Sequence, residues 1–265
     1  MRVGFFQFYP EHKNPDANLA KVSKVLADAQ ADLIVLPELC FTGYSFLSRQ
    51  ELIRFSQPVP GGQFCTTLLS LCGEHNLNVV FGMAETAGDR IYNSAVLVTA
   101  SGTVHVYRKA HLFWDEKGLF DPGDSPFPVF TLGTVPVGML VCFDHIYPEA
   151  ARCLTLHGAQ IICHPSNLIL DIAQVTTVAR AIENRVYWIL ANRIGQEQIG
   201  TRTLHFTGLS QIVAPDGQLL GRAGPNSEEL LIVEIDPAQA QNKFVTPRND
   251  LLADRRTDLY TGFPS

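Results

Sequence analysis

The chain has no Cys-x-x-Cys pair and no closely spaced histidines, so it lacks the spacing a zinc site needs. His105 and His111 stand six residues apart on a strand-to-loop segment, a poor arrangement for a metal. Six cysteines, Cys40, Cys65, Cys72, Cys142, Cys153 and Cys163, are scattered, mostly in apolar contexts. In 265 residues that argues against a disulfide framework and for reduced thiols in a cytoplasmic protein. No apolar run is long enough to span a membrane. No basic run or stripe is present and the net charge is −6, so nucleic acid is not an expected partner. The N-terminal Met1-Arg2-Val3-Gly4-Phe5-Phe6-Gln7 lacks an h-region and a small-residue cleavage site, so secretion by that route is not expected. Repeats, low-complexity tracts and linker-like shifts in composition are missing too. One domain over 1–265, without metal or cofactor, is the simplest organisation.

What is present is a strand and helix alternation suited to an α/β fold. Strands are expected at Arg2–Phe8, Asp32–Leu36, Asn78–Glu85, Ile91–Thr99, Val104–Tyr107, Val135–Val141, Gln160–Cys163, Val186–Ala191 and Leu230–Ile235. Gly208–Val213 and Gln218–Leu220 form a hairpin across Asp216-Gly217. Helices are expected after Asn14-Pro15, over Arg49–Ser56, around Phe64–Cys72, over Glu149–His157 and over Ile172–Arg185. A long polar loop, Ala110–Pro128, interrupts this pattern, and loops of that length inside a domain usually carry function. The tail, Thr246–Tyr260, reads as charged and irregular.

Three strand-like runs end in reactive residues. Ile34-Val35-Leu36 leads to Glu38, Val104–Tyr107 to Lys109, and Val137–Val141 to Cys142. Strands sharing one sheet would bring a carboxylate, an ammonium and a thiol together. That set suits acyl transfer, with a thiol nucleophile, a carboxylate that accepts its proton, and a cation that stabilises the oxyanion. Cys142 also stands between a buried strand and a helix start, and a helix N-terminus there would favour the thiolate. Plainer readings exist for each: a buried inert cysteine, a helix-capping Glu, a solvated Lys at a strand end.

Taken together, the motifs resemble the nitrilase superfamily of carbon–nitrogen hydrolases. They are Leu36-Pro37-Glu38 with Thr42-Gly43-Tyr44, Tyr107-Arg108-Lys109-Ala110-His111-Leu112, Glu116, Phe120-Asp121-Pro122-Gly123-Asp124, and Cys142-Phe143-Asp144 with Tyr147-Pro148-Glu149. His164-Pro165-Ser166-Asn167, Arg180-Ala181-Ile182-Glu183-Asn184 and Asp254-Arg255-Arg256 complete them in order. The resemblance implies a four-layer α-β-β-α sandwich. It implies Cys142 as nucleophile, Glu38 as general base and then acid, and Lys109 with the Phe143 N–H at the oxyanion. Glu116 would position substrate and Lys109. Family members usually dimerise, which implies a homodimer or higher homo-oligomer in which Glu183 and Asn184 serve the interface or the structure.

Nitrile-cleaving members typically carry Cys-Trp-Glu at the nucleophile, so Cys142-Phe143-Asp144 resembles the amidase and carbamoylase branches. Amidases of acidic substrates often have an Arg where Ile146 stands, which disfavours an anionic substrate. Tyr44, Trp114, Phe143, His145 and Asn167, with Phe113 and Leu168, are the expected substrate-binding residues, although aromatic side chains are as often core. The expected reaction is hydrolysis of a small amide to acid and ammonia. An N-carbamoyl amine or a nitrile is the alternative substrate, and an acyltransferase or a non-catalytic oligomeric scaffold the alternative of another class.

Overall fold

A computed structural model describes residues 1–260; the last five positions of the expected 1–265 domain lie outside the described residues. Two sheets stack face to face. The first has the strand order Glu229–Glu234, Arg2–Gln7, Leu33–Val35, Asn78–Ala87, Arg90–Val98, Val104–Arg108, with Gln57–Pro58 beside Asn78–Ala87. The second runs Leu219–Arg222, Gln211–Val213, Tyr187–Ala191, Ile161–Pro165, Val135–Met139, Val129–Leu132. Arg2–Gln7, Leu33–Val35 and Asn78–Ala87 pair in parallel at the centre of the first sheet. Val135–Met139, Ile161–Pro165 and Tyr187–Ala191 do so in the second.

The period-two alternation of the strands assigns each residue to a layer. Val3, Phe5, Leu33 and Val35 point into a core shared with Val137, Ile161 and Trp188 of the other sheet. Phe6, Phe8, Ile34 and Leu36 point outward onto the helices Pro15–Ala27 and Gln63–His75, through Leu19, Val22, Phe64 and Leu68. Helices Pro148–Leu156 and Ala173–Asn184 cover the far side of the second sheet. The result is the α-β-β-α sandwich. No helix among the described residues is long and apolar enough to cross a membrane.

Four stretches differ from the sequence expectation. Val129–Leu132 is a strand pairing antiparallel with Val135–Met139 across a turn in which Gly133 takes φ +59°. Four residues are too short to show an alternating pattern. Gln196–Ile199 and Arg202–His205 form a hairpin whose buried position is a glutamate, Glu197, so hydrophobic periodicity could not reveal it. Within the long loop, Glu116–Leu119 makes one helical turn, and the tail closes a short hairpin, Phe244–Thr246 with Asn249–Asp250.

Candidate active site

The central strand Leu33–Val35 ends three residues before Glu38, whose backbone lies against the neighbouring strand. A Cβ on Gly82 would stand 2.4 Å from the Glu38 Cα, so only glycine fits there. Lys109 follows Val104–Arg108. Its N–H donates to the Asn93 carbonyl (2.8 Å) and its carbonyl accepts from the Gly123 N–H (2.8 Å). A Cβ at Gly123 would meet the Arg108 carbonyl oxygen at 2.1 Å. Arg49 and the Ile91 N–H hold Asp121, and Arg108 holds Asp124. The Phe120–Asp124 motif thus serves as a buttress for Lys109.

Cys142 opens a tight turn, Cys142–Ile146, directly after the second sheet's Val135–Met139. It has φ +43°, a left-handed backbone uncommon in any residue but glycine and often found at reactive positions. The helix expected to favour its thiolate begins only at Pro148. Burial pushes the Cys142 thiol well above its ordinary range, and the Glu38 charge adds to that; Lys109 and a backbone hydrogen bond from Asn167 oppose it. Desolvation thus works against the thiolate that the sequence reading expects a helix start to favour.

Glu38, Lys109 and Glu116 are buried together. The Lys109 Nζ donates to Glu38 Oε1 and Glu116 Oε1, each at 2.8 Å. Burial works against the Lys109 charge, but the Glu116 and Glu38 carboxylates outweigh it and keep the amine protonated. Glu116 is pushed up by burial and by Glu38, with Lys109 pulling the other way. Its Oε1 also accepts from the Tyr44 hydroxyl (2.8 Å), and its Oε2 from the Phe113 N–H (3.0 Å). Glu38 Oε1 takes a second hydrogen bond from Asn93 (2.6 Å). Its Oε2 is buried and has no partner among the described residues. An ammonium has three donors, and the described residues use two of those on Lys109.

The expected substrate-binding residues divide. Cys142, Phe143, His145 and Asn167 line one small cavity with Phe113, Leu168 and Ile169. It offers about 20 Å³ of free room, space for one or two water-sized groups. Tyr44 and Trp114 line an adjoining cavity that shares Phe113 and Ile169. Tyr44 reaches the charge cluster through Glu116, whereas Trp114 is 56% exposed beneath the Arg202 guanidinium. His145 is neutral: burial, then Arg180, bring it down to about 4, and its Nδ1 bonds the Thr176 hydroxyl (2.7 Å). Neither the Oδ1 nor the Nδ2 of buried Asn167 has a partner among the described residues.

Asp144 does not face the cavity. Its Oδ2 accepts from the Tyr107 hydroxyl and the Val141 N–H, both at 2.9 Å, and its Oδ1 from His111 N–H (3.1 Å) and Nδ1 (2.8 Å). His111 is thereby occupied, and His105 stacks on Phe130. No group of three His, Cys, Asp or Glu side chains among the described residues could hold a metal ion. Glu183 pairs with Arg180, and Asn184 donates to the Arg180 carbonyl. Sequence reasoning missed the buried pair Arg193–Glu197. Glu197 accepts the backbone N–H groups of Tyr44 (3.0 Å) and Ser45 (2.8 Å) and so fixes the loop that presents Tyr44.

A carboxylate and an ammonium that follow two separate strands of the first sheet lie buried within charge range of a thiol that follows a strand of the second, in a four-layer sandwich of the nitrilase-superfamily type. Residues 2–243 match the carbon-nitrogen hydrolase family, and the chain belongs to it. A protein of Pyrococcus abyssi described as a nitrilase is 41% identical over 98% of this chain and 99% of its own. The (R)-stereoselective amidase of a Pseudomonas species is 34% identical over 98% of this chain and 93% of its own. A solved mutant structure of the amidase from Nesterenkonia sp. AN1 superposes with a TM-score of 0.81 at 28% identity, covering 98% of each chain; it shows the product of Michael addition of acrylamide at that enzyme's active site cysteine. A further mutant structure of that amidase is in complex with butyramide.

Proposed function

We propose that the protein hydrolyses a small neutral amide to a carboxylic acid and ammonia, with Cys142 as nucleophile. The observation that carries this is the division of labour on Glu38. Its Oε1 is held by Lys109 and Asn93, and its Oε2 is left free in a water-poor site within range of the Cys142 charge. Because desolvation works against the thiolate, deprotonation belongs to the attack itself. Glu38 Oε2 takes the thiol proton as sulfur bonds to the amide carbon. The oxyanion is held by the unspent Lys109 N–H and the Phe143 N–H. Glu38 then gives its proton to the amine, the C–N bond breaks, and a thioester remains. Water, deprotonated by Glu38, attacks it; the sulfur leaves and recovers the proton. Glu116 keeps Lys109 in place and charged throughout.

Three features favour a small neutral amide. The free room beside Cys142 is small. Among the described residues no arginine lines that cavity, the charge of Lys109 is balanced by Glu38 and Glu116, His145 is neutral, and Arg180 donates to the His145 and Ile146 carbonyls. Asn167 offers both an acceptor and a donor, which match an amide N–H and carbonyl, whereas a nitrile has no N–H to give. The name of the Pyrococcus relative points to nitriles, so the amide reading rests on the cavity. The butyramide complex of the Nesterenkonia amidase is in keeping with it.

The test is ammonia release over matched amides, carbamoyl amines and nitriles, with Cys142→Ala as the blank. A small amide is expected to give the highest kcat/KM; a nitrile in first place would overturn the amide reading. We also propose a homodimer or a multiple of it in the cytoplasm. Val175, 72% exposed, lies on the same helix as exposed Ile182, next to exposed Ile172. Sedimentation should show a dimer or larger, and an active monomer would refute that.

A further inference from the structure

The mechanism leaves one buried pair near the nucleophile unused. His164 stands at the end of the strand Ile161–Pro165, and Trp188 on the adjoining Tyr187–Ala191; both are fully buried. The His164 Nε2 lies 2.8 Å from the Cys142 carbonyl oxygen, and the Trp188 indole Nε1 lies 3.2 Å from His164 Nδ1. A carbonyl can only accept and an indole N–H can only donate. The partners therefore set the tautomer, with the proton on Nε2 and the lone pair on Nδ1. Burial, then His145, push His164 down to about 3, so the ring is neutral and this tautomer persists at working pH. The Ser166 hydroxyl, 3.2 Å from Nε2, can instead donate to the His164 carbonyl at 3.3 Å, which leaves the Nε2 proton to Cys142.

The oxygen that His164 holds belongs to the same peptide as the Phe143 N–H. The unit is planar and trans, so its C=O and N–H point in opposite directions, and fixing one fixes the other. The turn's own hydrogen bonds begin with the Asp144 N–H to the Val141 carbonyl (3.1 Å), so the Phe143 N–H lies outside that ladder. A hydrogen bond to a carbonyl also polarises its peptide and strengthens the N–H at the other end. From this chain we infer that His164, with its tautomer set by Trp188, is the positioning residue of the oxyanion hole. It aims the Phe143 N–H at the reacting carbon's oxygen. The inference rests on the proposed thioester mechanism.

Two reactions of the same thiol separate this role from simple support of the fold. Amide hydrolysis forms an oxyanion, whereas alkylation by iodoacetamide forms none. In His164→Leu, kcat for ammonia release is expected to fall about 10–100-fold, within the range for a weakened oxyanion donor. KM and the rate of Cys142 alkylation, located by peptide mass, should stay within about twofold. His164→Gln, whose Nε2 can donate to the same carbonyl, should recover most of the loss. Should His164→Leu fail to fold, Trp188→Phe removes the N–H that sets the tautomer, with part of the ring, and should lower kcat with alkylation unchanged. Unchanged kcat in a folded His164→Leu would overturn the inference, as would a parallel fall of kcat and alkylation. A wild-type protein that releases no ammonia from any amide would sink the underlying mechanism as well, which keeps the two failures apart.

Discussion

Two buried ion clusters sit on either side of the loop that carries Tyr44, and they differ in what they leave unused. In Arg193–Glu197 each side-chain nitrogen and each carboxylate oxygen has at least one partner. Arg193 donates to Glu197, to the Ile194 carbonyl and to the Pro10 carbonyl, and stacks over Phe206. Glu197 accepts from Arg193, Tyr44 and Ser45. In Lys109–Glu38–Glu116 one carboxylate oxygen and one ammonium proton are left without a partner among the described residues. Both clusters carry the cost of desolvating charge, but only the second retains groups with which to react. Unused atoms also occur at Asn93, Gln174 and Asn184; those of Glu38 and Asn167 differ in lying beside the Cys142 thiol. A fully used polar group should matter to stability, and an unused one beside the thiol to chemistry.

The largest effect should follow from replacing an unused group. Glu38→Gln keeps the shape and an acceptor for Lys109 but cannot take or return a proton. We expect kcat to fall by ~10²–10⁴, the ordinary worth of general acid–base catalysis. Stability should hold or rise, because two carboxylates around one ammonium become one. Near-normal turnover would break the comparison; so would a large fall in melting temperature.

The reverse substitution is Glu197→Gln. It leaves buried Arg193 without a charge partner, and breaking such a pair costs ~3–5 kcal/mol. For a domain of this size that is roughly 6–20 °C in Tm. Turnover of the folded fraction should suffer less than in Glu38→Gln, since only the support of Tyr44 is disturbed. The two clusters should also slope oppositely with pH. Burial opposes the Glu197 charge, but Arg193 outweighs it and holds the carboxyl below its ordinary 4.5. Its contribution is thus present above pH 4.5 and lost as pH falls through the folded value. Burial holds Glu116 above 4.5, so its contribution is present below that pH and lost as pH rises through the folded value. Denaturation across pH should therefore show a weaker acid loss in Glu197→Gln and a weaker loss on the rising side in Glu116→Gln. Matching slopes would contradict the division.

The same division explains what the sequence could show. Glu38, Lys109 and Cys142 each follow an apolar run, so the pattern of strands announced them, and the central strands and covering helices stand within a few residues of expectation. Glu197 could not be found that way, being a charge buried in a polar hairpin. His164 also follows an apolar run, Ile161-Ile162-Cys163, but its role rests on partners brought from separate elements, Cys142 and Trp188. Asp144 entered the sequence reading only as part of a motif that resembles the amidase branch; the structure commits its oxygens to Tyr107, Val141 and His111. The desolvation of the thiol was hidden for a related reason: burial is a property of the assembled sandwich, and only the helix start was visible in the chain.

The smallest effect, and the sharpest test of the unused-group rule, concerns Asn167. Its carboxamide shares the cavity with the thiol while both its polar atoms lack partners, a state that costs free energy unless a ligand completes it. An amide can satisfy the Oδ1 with its N–H and the Nδ2 with its carbonyl. A nitrile leaves the Oδ1 unpaired and buried. Removing the side chain therefore weakens the amide's transition state more than the nitrile's. One neutral hydrogen bond is worth about 0.5–1.5 kcal/mol, which is roughly two- to tenfold in rate. Asn167→Ala should accordingly lower the amide-to-nitrile ratio of kcat/KM by that factor, measured on a matched pair with the same carbon chain. The Asn167 backbone, which donates a hydrogen bond to Cys142, is untouched by the change, so alkylation of the thiol should stay near the wild-type rate. An unaltered ratio with both activities reduced would mean that Asn167 merely packs the cavity, and the preference for amides would then have to come from the walls around Phe143 and Phe113.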